Sequence, residues 1–222
     1  MNTPQQAFTD AIRDNRINAS TSIAAVIGDP VKHSLSPVIH NAGFRSLGID
    51  WFYVKCEVKE GQAKQALEAM RILNLRGLSV TMPHKTSIAA LVDSLSESAQ
   101  ALKSVNTVEV SADGSLIGHS TDGDGLVASL LAQGVDVAGK DVLILGAGGA
   151  ARSVIDALYR RGCHRIFIVN RSLENAKVAA ELAQGVATTI ELSSDSAMSE
   201  ATSQCDIVIN ATSVGMTKNS DV

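Results

Sequence analysis

The chain has 222 residues, of which 45 % are hydrophobic and 19 % charged, and its formal net charge at pH 7 is −4. This composition excludes an intrinsically disordered chain, which would combine low hydrophobicity with a high net charge. Because acidic side chains outnumber basic ones by 23 to 19, a nucleic-acid-binding protein is not expected either. The length fits one large domain or two modest ones.

The cysteines and the N-terminal sequence indicate the cellular setting. Cys56, Cys163 and Cys205 are widely spaced and form neither a CxxC metal pattern nor an evident disulfide framework. The first twenty residues are polar and do not resemble a secretory signal, and the apolar stretches elsewhere are shorter than a membrane span. We therefore expect a cytoplasmic protein with no membrane partner.

Short aliphatic runs alternate with amphipathic stretches, which predicts an α/β fold with a mostly parallel sheet. In the first half, a helix is predicted at 36–47, with Ser36 as N-cap and Pro37 at the first helical position. The other elements predicted there are strands at 23–27, 51–55 and 78–80, a helix at 61–73, and an antiparallel pair at 104–110 and 115–120 with its turn at Asp113-Gly114.

A second unit is predicted from residue 137 onward, connected to the first by a helix at 126–134. Its predicted elements are strands at 141–146, 165–170 and 206–210, and helices at 150–162, closed by Gly162, and at 173–184. The stretch around TTIEL (188–192) stays unassigned. Because the sequence ends soon after the last of these strands, we expect an incomplete doubly wound sheet and a fragment of a longer protein.

A glycine-rich motif lies between the strand at 141–146 and the helix that follows it. Gly146, Ala147, Gly148, Gly149, Ala150 and Ala151 match the G-x-G-x-x-G/A fingerprint. Glycines there let the backbone turn sharply and approach a pyrophosphate, which is held by amide donors at the positive end of the helix. The motif predicts a dinucleotide site, and a purely structural glycine-rich turn is the alternative.

The residues at the end of the predicted strand at 165–170 indicate which dinucleotide is bound. NAD-binding units usually carry an acidic residue there for the ribose hydroxyl, whereas this chain has Asn170, Arg171 and Ser172. The Arg171 guanidinium can pair with a ribose 2′-phosphate, and its neighbours can supply neutral hydrogen bonds. We predict NADP as the cofactor, with a solvated arginine at a strand end as the alternative.

Polar side chains in the first half of the chain follow or precede predicted strands, where open α/β sheets place ligands. Hydroxyl and amide groups can recognise a polyhydroxylated ligand, because each can donate and accept hydrogen bonds. One lysine with one aspartate can transfer a proton and balance the charge of a carboxylate. Singly, such residues are more often helix caps, turns and surface charges. The candidates are Ser34, Ser36, Thr81, Lys85, Asn106 with Thr107, and Thr121 with Asp122.

In combination these motifs resemble those of the shikimate dehydrogenase family, which includes the quinate/shikimate dehydrogenases. The resemblance spans about residues 23–216. The motifs that carry it, in order, are GDP (28–30), HSLSP (33–37) with His40-Asn41, SVTMPHK (79–85), VNT (105–107), TDGDG (121–125), the fingerprint at 146–151, and NATSVGM (210–216).

The resemblance implies NADP-dependent, reversible reduction of 3-dehydroshikimate to shikimate, a step of chorismate and aromatic amino acid biosynthesis, in a cleft between an N-terminal mixed-sheet α/β substrate domain and a C-terminal Rossmann-like domain. Lys85 corresponds to the acid/base residue and Asp122 lies beside it. The implied substrate-binding residues are Ser34, Ser36, Thr81, Lys85, Asn106 and Asp122, and the implied cofactor-binding residues are Gly146 to Ala150, Asn170, Arg171, Ser172 and Thr212.

The chain departs from the family's pattern in three ways. Asparagine usually occupies the positions of Ser79 and Ser120, and the family's C-terminal segment, which contributes a substrate-contacting glutamine, is absent. These departures leave two alternatives open: a quinate/shikimate dehydrogenase, or a binding-only paralogue or fragment without useful turnover.

The remaining expectations concern metals, assembly and domain limits. The histidines do not form a convincing ligand set and hydride chemistry needs no metal, so no metal site is expected. No motif distinguishes a monomer from a homodimer. The expected organisation is an N-terminal extension (1–22), a substrate domain (23–125), a connecting helix (126–136) and an incomplete Rossmann-like domain (137–222).

Overall fold

The computed structural model describes residues 17–212 and residue 214, apart from the side chain of Asp195. Most of the predicted extension, and Ser213, Gly215 and Met216 of the last motif, lie outside the described residues. The described chain forms two compact units. We call residues up to Leu95 together with Val105–His119 the N-terminal unit, and Ser96–Ser104 together with Ser120 onward the C-terminal unit. The predicted domain limits stay a prediction.

The N-terminal unit is built on a mixed six-stranded sheet with the strand order β2-β1-β3-β5-β6-β4. Strand β1 pairs in parallel with β2 and β3, and β5 pairs antiparallel with β3 and β6, as the predicted hairpin requires. The strands are β1 (Ser22–Gly28), β2 (Trp51–Glu57), β3 (Gly77–Val80), β4 (Ser94–Leu95), β5 (Thr107–Val110) and β6 (Leu116–His119).

The helices of the N-terminal unit are α1 (Ser36–Leu47), α2 (Ala63–Ile72) and α3 (Lys85–Ala89). The predicted N-cap of α1 is wrong, because Leu35 is the N-cap and Ser36 already belongs to the helix. The backbone N–H of Ser36 donates to Ser34 Oγ at 3.3 Å, so the Ser34 side chain satisfies an amide of the first turn. Pro37 still lies in that turn, where the N–H it lacks has no partner within the helix.

The C-terminal unit contains a parallel four-stranded sheet with the order β10-β7-β8-β9. Read from β9, this order is 3-2-1-4, that of the first four strands of a Rossmann sheet. The strands are β7 (Asp141–Leu145), β8 (Arg165–Asn170), β9 (Ala187–Glu191) and β10 (Ile207–Asn210). The α/β fold class, with a mixed-sheet domain followed by a Rossmann-like domain, is confirmed.

Helices cover both faces of this sheet, because alternate strand residues are apolar on both sides. Val142 and Ile144 pack in a core cluster with residues of α6 and α7, and Leu143 packs with Ala201 of α8 on the other face. The helices of the C-terminal unit are α4 (Glu97–Leu102), α5 (Asp122–Ala132), α6 (Gly149–Arg160), α7 (Leu173–Ala180), a 3₁₀ turn (Glu181–Ala183) and α8 (Asp195–Gln204).

Several predicted element boundaries were wrong. Helix α5 begins at Asp122, four residues before the predicted start, because Gly123 packs against α6 in its first turn. The predicted helix at 173–184 ends as α-helix at Ala180, and the unassigned stretch forms strand β9. The short elements β4, α3 and α4, and helix α8, were not predicted. In the described part of the chain, no helix is long and apolar enough to cross a membrane.

An ion-pair cluster joins β7 to β8 at the amino ends of these strands. Asp141 accepts hydrogen bonds from Arg165, at 2.6 Å between Nη2 and Oδ2, and contacts His164 Nδ1 at 2.7 Å through Oδ1. The Arg165 guanidinium lowers the pKa of Asp141 from 3.8 to about 2, with a further contribution from His164 and against the opposing effect of burial. The folded state therefore favours the ionised carboxylate.

Replacing Asp141 with asparagine should lower the free energy of unfolding by about 1–2 kcal/mol at pH 7, because Arg165 is partly exposed and solvent screens part of the interaction. The pKa of Asp141 is lower in the folded state, so its contribution is complete above about pH 4 and is lost as the pH falls toward 2. Urea unfolding of the wild type and variant at pH 7 and at about pH 2.5 checks this. An equal difference at both pH values would contradict the assignment.

Candidate functional site

Four strand ends of the N-terminal unit lie at one edge of its sheet. Strands β1 and β3 are parallel neighbours, so their carboxyl ends meet. Thr107, the first residue of β5, pairs with Ser79 on β3 and with His119 at the end of β6. This edge is where an open α/β sheet places its ligand. The segments there contain Ser34 and, as the first residue of α1, Ser36 after β1; Thr81 and, as the first residue of α3, Lys85 after β3; and Asn106 before β5.

The loops after β1 and β3 are in direct contact at Gly28. A Cβ atom at this position would lie 2.3 Å from Thr81 Cγ2 and 3.1 Å from the Met82 carbonyl oxygen. The Asp29 N–H donates to that same carbonyl at 2.9 Å. Residue 28 must therefore be glycine for Thr81 to occupy its place at the edge.

Backbone hydrogen bonds connect the segment that contains Lys85 to the segment that contains Asn106. The Lys85 carbonyl accepts from the Val105 N–H at 2.9 Å, and the Asn106 carbonyl accepts from the Val80 N–H at 2.7 Å. The Asn106 N–H donates to the His119 carbonyl at 2.9 Å. Half-buried Lys85 is thus held at the start of α3 beside the residues that precede β5.

His84 anchors the loop that carries Lys85. Its side chain is 1 % exposed, and Nε2 lies 2.7 Å from the Val58 carbonyl oxygen. A carbonyl can only accept, so this contact requires a proton on Nε2. His84 is therefore a packed side chain whose hydrogen bond to Val58 fixes the segment before Lys85.

Tyr53, a residue that no sequence motif singled out, also contributes to this edge. Its phenol donates to Ser79 Oγ at 2.6 Å, its ring is buried, and the imidazole of His40 stacks on it at 4.3 Å between centroids. Burial raises the pKa of Tyr53, and its hydrogen bonding with Ser79 partly offsets this effect. The hydroxyl of Ser79, at the position where the family usually has asparagine, is therefore oriented by a partner on β2.

The fingerprint of the C-terminal unit forms the turn from β7 into α6. Gly146 has φ +107°, and a Cβ atom there would lie 3.1 Å from Thr212 Cγ2 and 3.2 Å from the Ala211 carbonyl oxygen. Gly148 is the N-cap of α6, and a Cβ on Gly148 or Gly149 would have no atom within 4 Å among the described residues. Exposed amides at the start of a twelve-residue helix fit a pyrophosphate.

Thr212 follows β10, and β10 and β8 flank β7 on opposite sides, so the strand order reverses at β7 and the carboxyl ends of β7 and β10 mark the switch point of the parallel sheet. Its hydroxyl donates to Asn210 Oδ1 at 2.6 Å and accepts from the Val214 N–H at 3.2 Å. The contact of Gly146 with Thr212 brings together two of the sequence-predicted cofactor residues.

The loop after β8 presents Arg171 to solvent. Asn170 Nδ2 donates to the Ser172 carbonyl at 2.9 Å, and Ser172 Oγ caps α7 by accepting from the Asn175 N–H at 3.3 Å. Both side chains thereby hold the loop, while the Ser172 hydroxyl proton can still be donated. Among residues 17–212, Arg171 forms no ion pair, so its guanidinium is available to a phosphate.

Asp122 belongs to the C-terminal unit, as the first residue of α5, and its side chain is exposed. Its pairing with Lys85 stays a prediction. Ser120, two residues earlier, is buried, and its carbonyl accepts from Ser98 Oγ at 3.1 Å. Within the described residues, no cluster of three or more His, Cys, Asp or Glu side chains is suited to hold a metal ion.

Comparison with known proteins places both units in one family. The profile of the shikimate dehydrogenase substrate binding domain matches residues 26–108, and that of shikimate / quinate 5-dehydrogenase matches residues 127–217. The chain belongs to the shikimate dehydrogenase family. The shikimate dehydrogenase (NADP(+)) of Rubrobacter xylanophilus is 42 % identical over 201 residues, an alignment that covers 90 % of this chain and 71 % of that protein.

Solved structures of the family have the same fold. The shikimate 5-dehydrogenase of Listeria monocytogenes, in complex with shikimate and NAD, is 36 % identical with a TM-score of 0.86, over 90 % of this chain and 72 % of that one. The enzyme of Thermus thermophilus, in complex with NADP(H) and shikimate, is 33 % identical with a TM-score of 0.78, over 88 % and 70 %.

Proposed function

We propose that this chain is an NADP-dependent shikimate dehydrogenase, which reversibly reduces 3-dehydroshikimate to shikimate in the pathway to chorismate and the aromatic amino acids. The observation that carries the proposal is the match of both units to this family in one continuous chain, with 42 % identity to a relative named for that activity. The polar edge of the N-terminal unit and the open fingerprint of the C-terminal unit support it.

NADPH supplies the hydride, and the residues of this chain bind the reactants and move a proton. Addition of hydride to the ketone leaves negative charge on oxygen, which a positioned donor must neutralise. Lys85 donates that proton, and Asp122 orients the ammonium and accepts a substrate hydroxyl. The remaining ring hydroxyls and the carboxylate are bound by the short polar side chains of the N-terminal unit, Ser34, Ser36, Thr81 and Asn106.

The C-terminal unit holds the nucleotide. Amides from Gly146 to Ala150 bind the pyrophosphate, the loop of Asn170, Arg171 and Ser172 holds the ribose 2′-phosphate, and Thr212 lies close to the nicotinamide. The proposed domain limits are 23–125 for substrate and 137–222 for nucleotide. We further propose a cytoplasmic location and a monomer or homodimer without a nucleic-acid or membrane partner.

Replacing Arg171 with alanine should erase most of a preference for NADP over NAD, which we expect to be at least about tenfold, or roughly 1.4 kcal/mol. The reason is that the exposed guanidinium can form two charge-assisted bonds to a 2′-phosphate that NAD lacks. Ratios of kcat/KM for the two nucleotides measure this, and exposed Arg161, at the opposite end of α6, provides a charge-matched control as Arg161→Ala. Equal efficiency with NAD in the wild type would refute the prediction.

A steady-state assay of the full-length protein with shikimate and quinate, each with NADP and NAD, tests the proposed function. We expect shikimate with NADP to give the highest kcat/KM. Quinate is the second candidate substrate because Ser79, paired with Tyr53, is shorter than the usual asparagine and alters the space at the substrate edge. Nucleotide binding without turnover on either substrate would instead favour the binding-only alternative.

A further inference from the structure

A hydrogen bond across two helices of the C-terminal unit fixes the residue that follows Asp122. The Gly123 N–H donates to Ser153 Oγ at 2.8 Å, and both residues are buried. The first amides of an α-helix have no partner within the helix, and a capping side chain usually satisfies one of them. Here Ser153, on α6, supplies the acceptor for the first turn of α5.

Helices α5 and α6 are in close contact at Gly123. A Cβ atom on residue 123 would lie 2.0 Å from the Ser153 carbonyl oxygen and 2.9 Å from the Ala157 Cβ, so only glycine fits. One residue further, Asp124 pairs with Arg160 Nη2 at 3.0 Å. The start of α5 is thus held against α6 at two successive residues, directly after Asp122.

Helix α6 therefore connects two regions of the C-terminal unit that are proposed to take part in the reaction: the nucleotide loop and the turn that carries Asp122. Its first residue, Gly149, belongs to the fingerprint loop, and Ser153 lies one helical turn further on the same helix. Because α6 also packs in the core of the unit through Ile155 and Leu158, it is a rigid support for the turn that carries Asp122.

We propose that Ser153 is a positioning residue for the dehydrogenase reaction, which fixes the Asp122 carboxylate through the backbone of Gly123 and ties its position to the helix that begins at the nucleotide loop. The inference rests on the proposed function of the chain. Ser153 touches no reacting atom; it acts through Asp122. Loss of its hydroxyl leaves a buried N–H without an acceptor and frees the turn to shift, and small displacements of a positioned group are costly to turnover.

Ser153→Ala should lower kcat for shikimate oxidation about tenfold, while the Kd for NADP changes less than about twofold. Ser153→Cys, whose thiol is larger than the hydroxyl and a weaker acceptor, should fall between the wild type and the alanine variant. In an Asp122→Asn background, Ser153→Ala should cause little further loss of kcat, because the carboxylate that it positions is already gone. Thermal unfolding of each variant reports separately on folding.

Ser129→Ala, at an exposed serine of α5, is the matched control and should retain wild-type kinetics. Unchanged kcat in an active protein carrying Ser153→Ala would overturn this inference alone. An equal fold-loss of kcat with and without the Asp122 carboxylate would also overturn it. So would a loss of kcat explained wholly by weaker NADP binding, or one that disappears at a temperature where the variant is fully folded. A wild type that turns over neither shikimate nor quinate would overturn the proposed function itself.

Discussion

Replacing Lys85 with alanine should lower turnover roughly a hundredfold or more, the usual scale of acid–base catalysis, while substrate affinity changes far less. Lys85 is half-buried at the start of α3, and its segment is fixed by the Val105 bond to its carbonyl and by the His84 bond to Val58. Removal of the side chain thus deletes the proposed proton donor and leaves its scaffold in place. Single-turnover reduction of 3-dehydroshikimate, measured beside direct shikimate binding, separates the chemical step from affinity.

Lys55→Ala is the control for the loss of one positive charge, because Lys55 is an exposed residue of strand β2. It should leave single-turnover rates unchanged. NADP affinity should barely change in Lys85→Ala, since the proposed nucleotide residues all belong to the C-terminal unit. An undiminished chemical rate in Lys85→Ala would remove Lys85 from the catalytic role.

Asp122→Asn should lower kcat/KM for shikimate by about a hundredfold, with both kcat and KM affected. The amide keeps the size of the side chain but removes the charge that we propose orients Lys85, and it replaces one acceptor oxygen with a donor. A residue that served binding alone would raise KM and leave kcat unchanged. Full kinetic curves for the wild type and variant, over a range of shikimate concentrations, distinguish these results.

Asp136→Asn removes the same charge at an exposed position beyond the end of α5 and should leave both parameters unchanged. A wild-type kcat in Asp122→Asn would show that this carboxylate plays no part in orienting the proton donor. Because the exchange is nearly isosteric and Asp122 is exposed, a lowered melting temperature is not expected to account for the loss.

Some features of the site could be predicted because the residues that produce them are close in sequence. The β7 strand, the fingerprint and α6 form one continuous segment, so its glycine spacing and apolar pattern identified the nucleotide loop directly. The absence of an acidic residue at 170–172 likewise indicated NADP without any tertiary information. The order of motifs along the chain was enough to indicate the family.

Only the tertiary structure shows which residues, distant in sequence, hold those motifs in place. Tyr53 contacts Ser79 from 26 positions away, and Ser153 contacts Gly123 from 30 positions away. Neither pair has a local pattern, because a contact between residues distant in sequence leaves no periodicity in the sequence around either of them. The helix was therefore predicted to begin only at 126, and only the packing of Gly123 against α6 shows why it begins at Asp122. Local residue order determined the fold class and the nucleotide loop, whereas close contact between distant segments determined how the proposed catalytic groups are held.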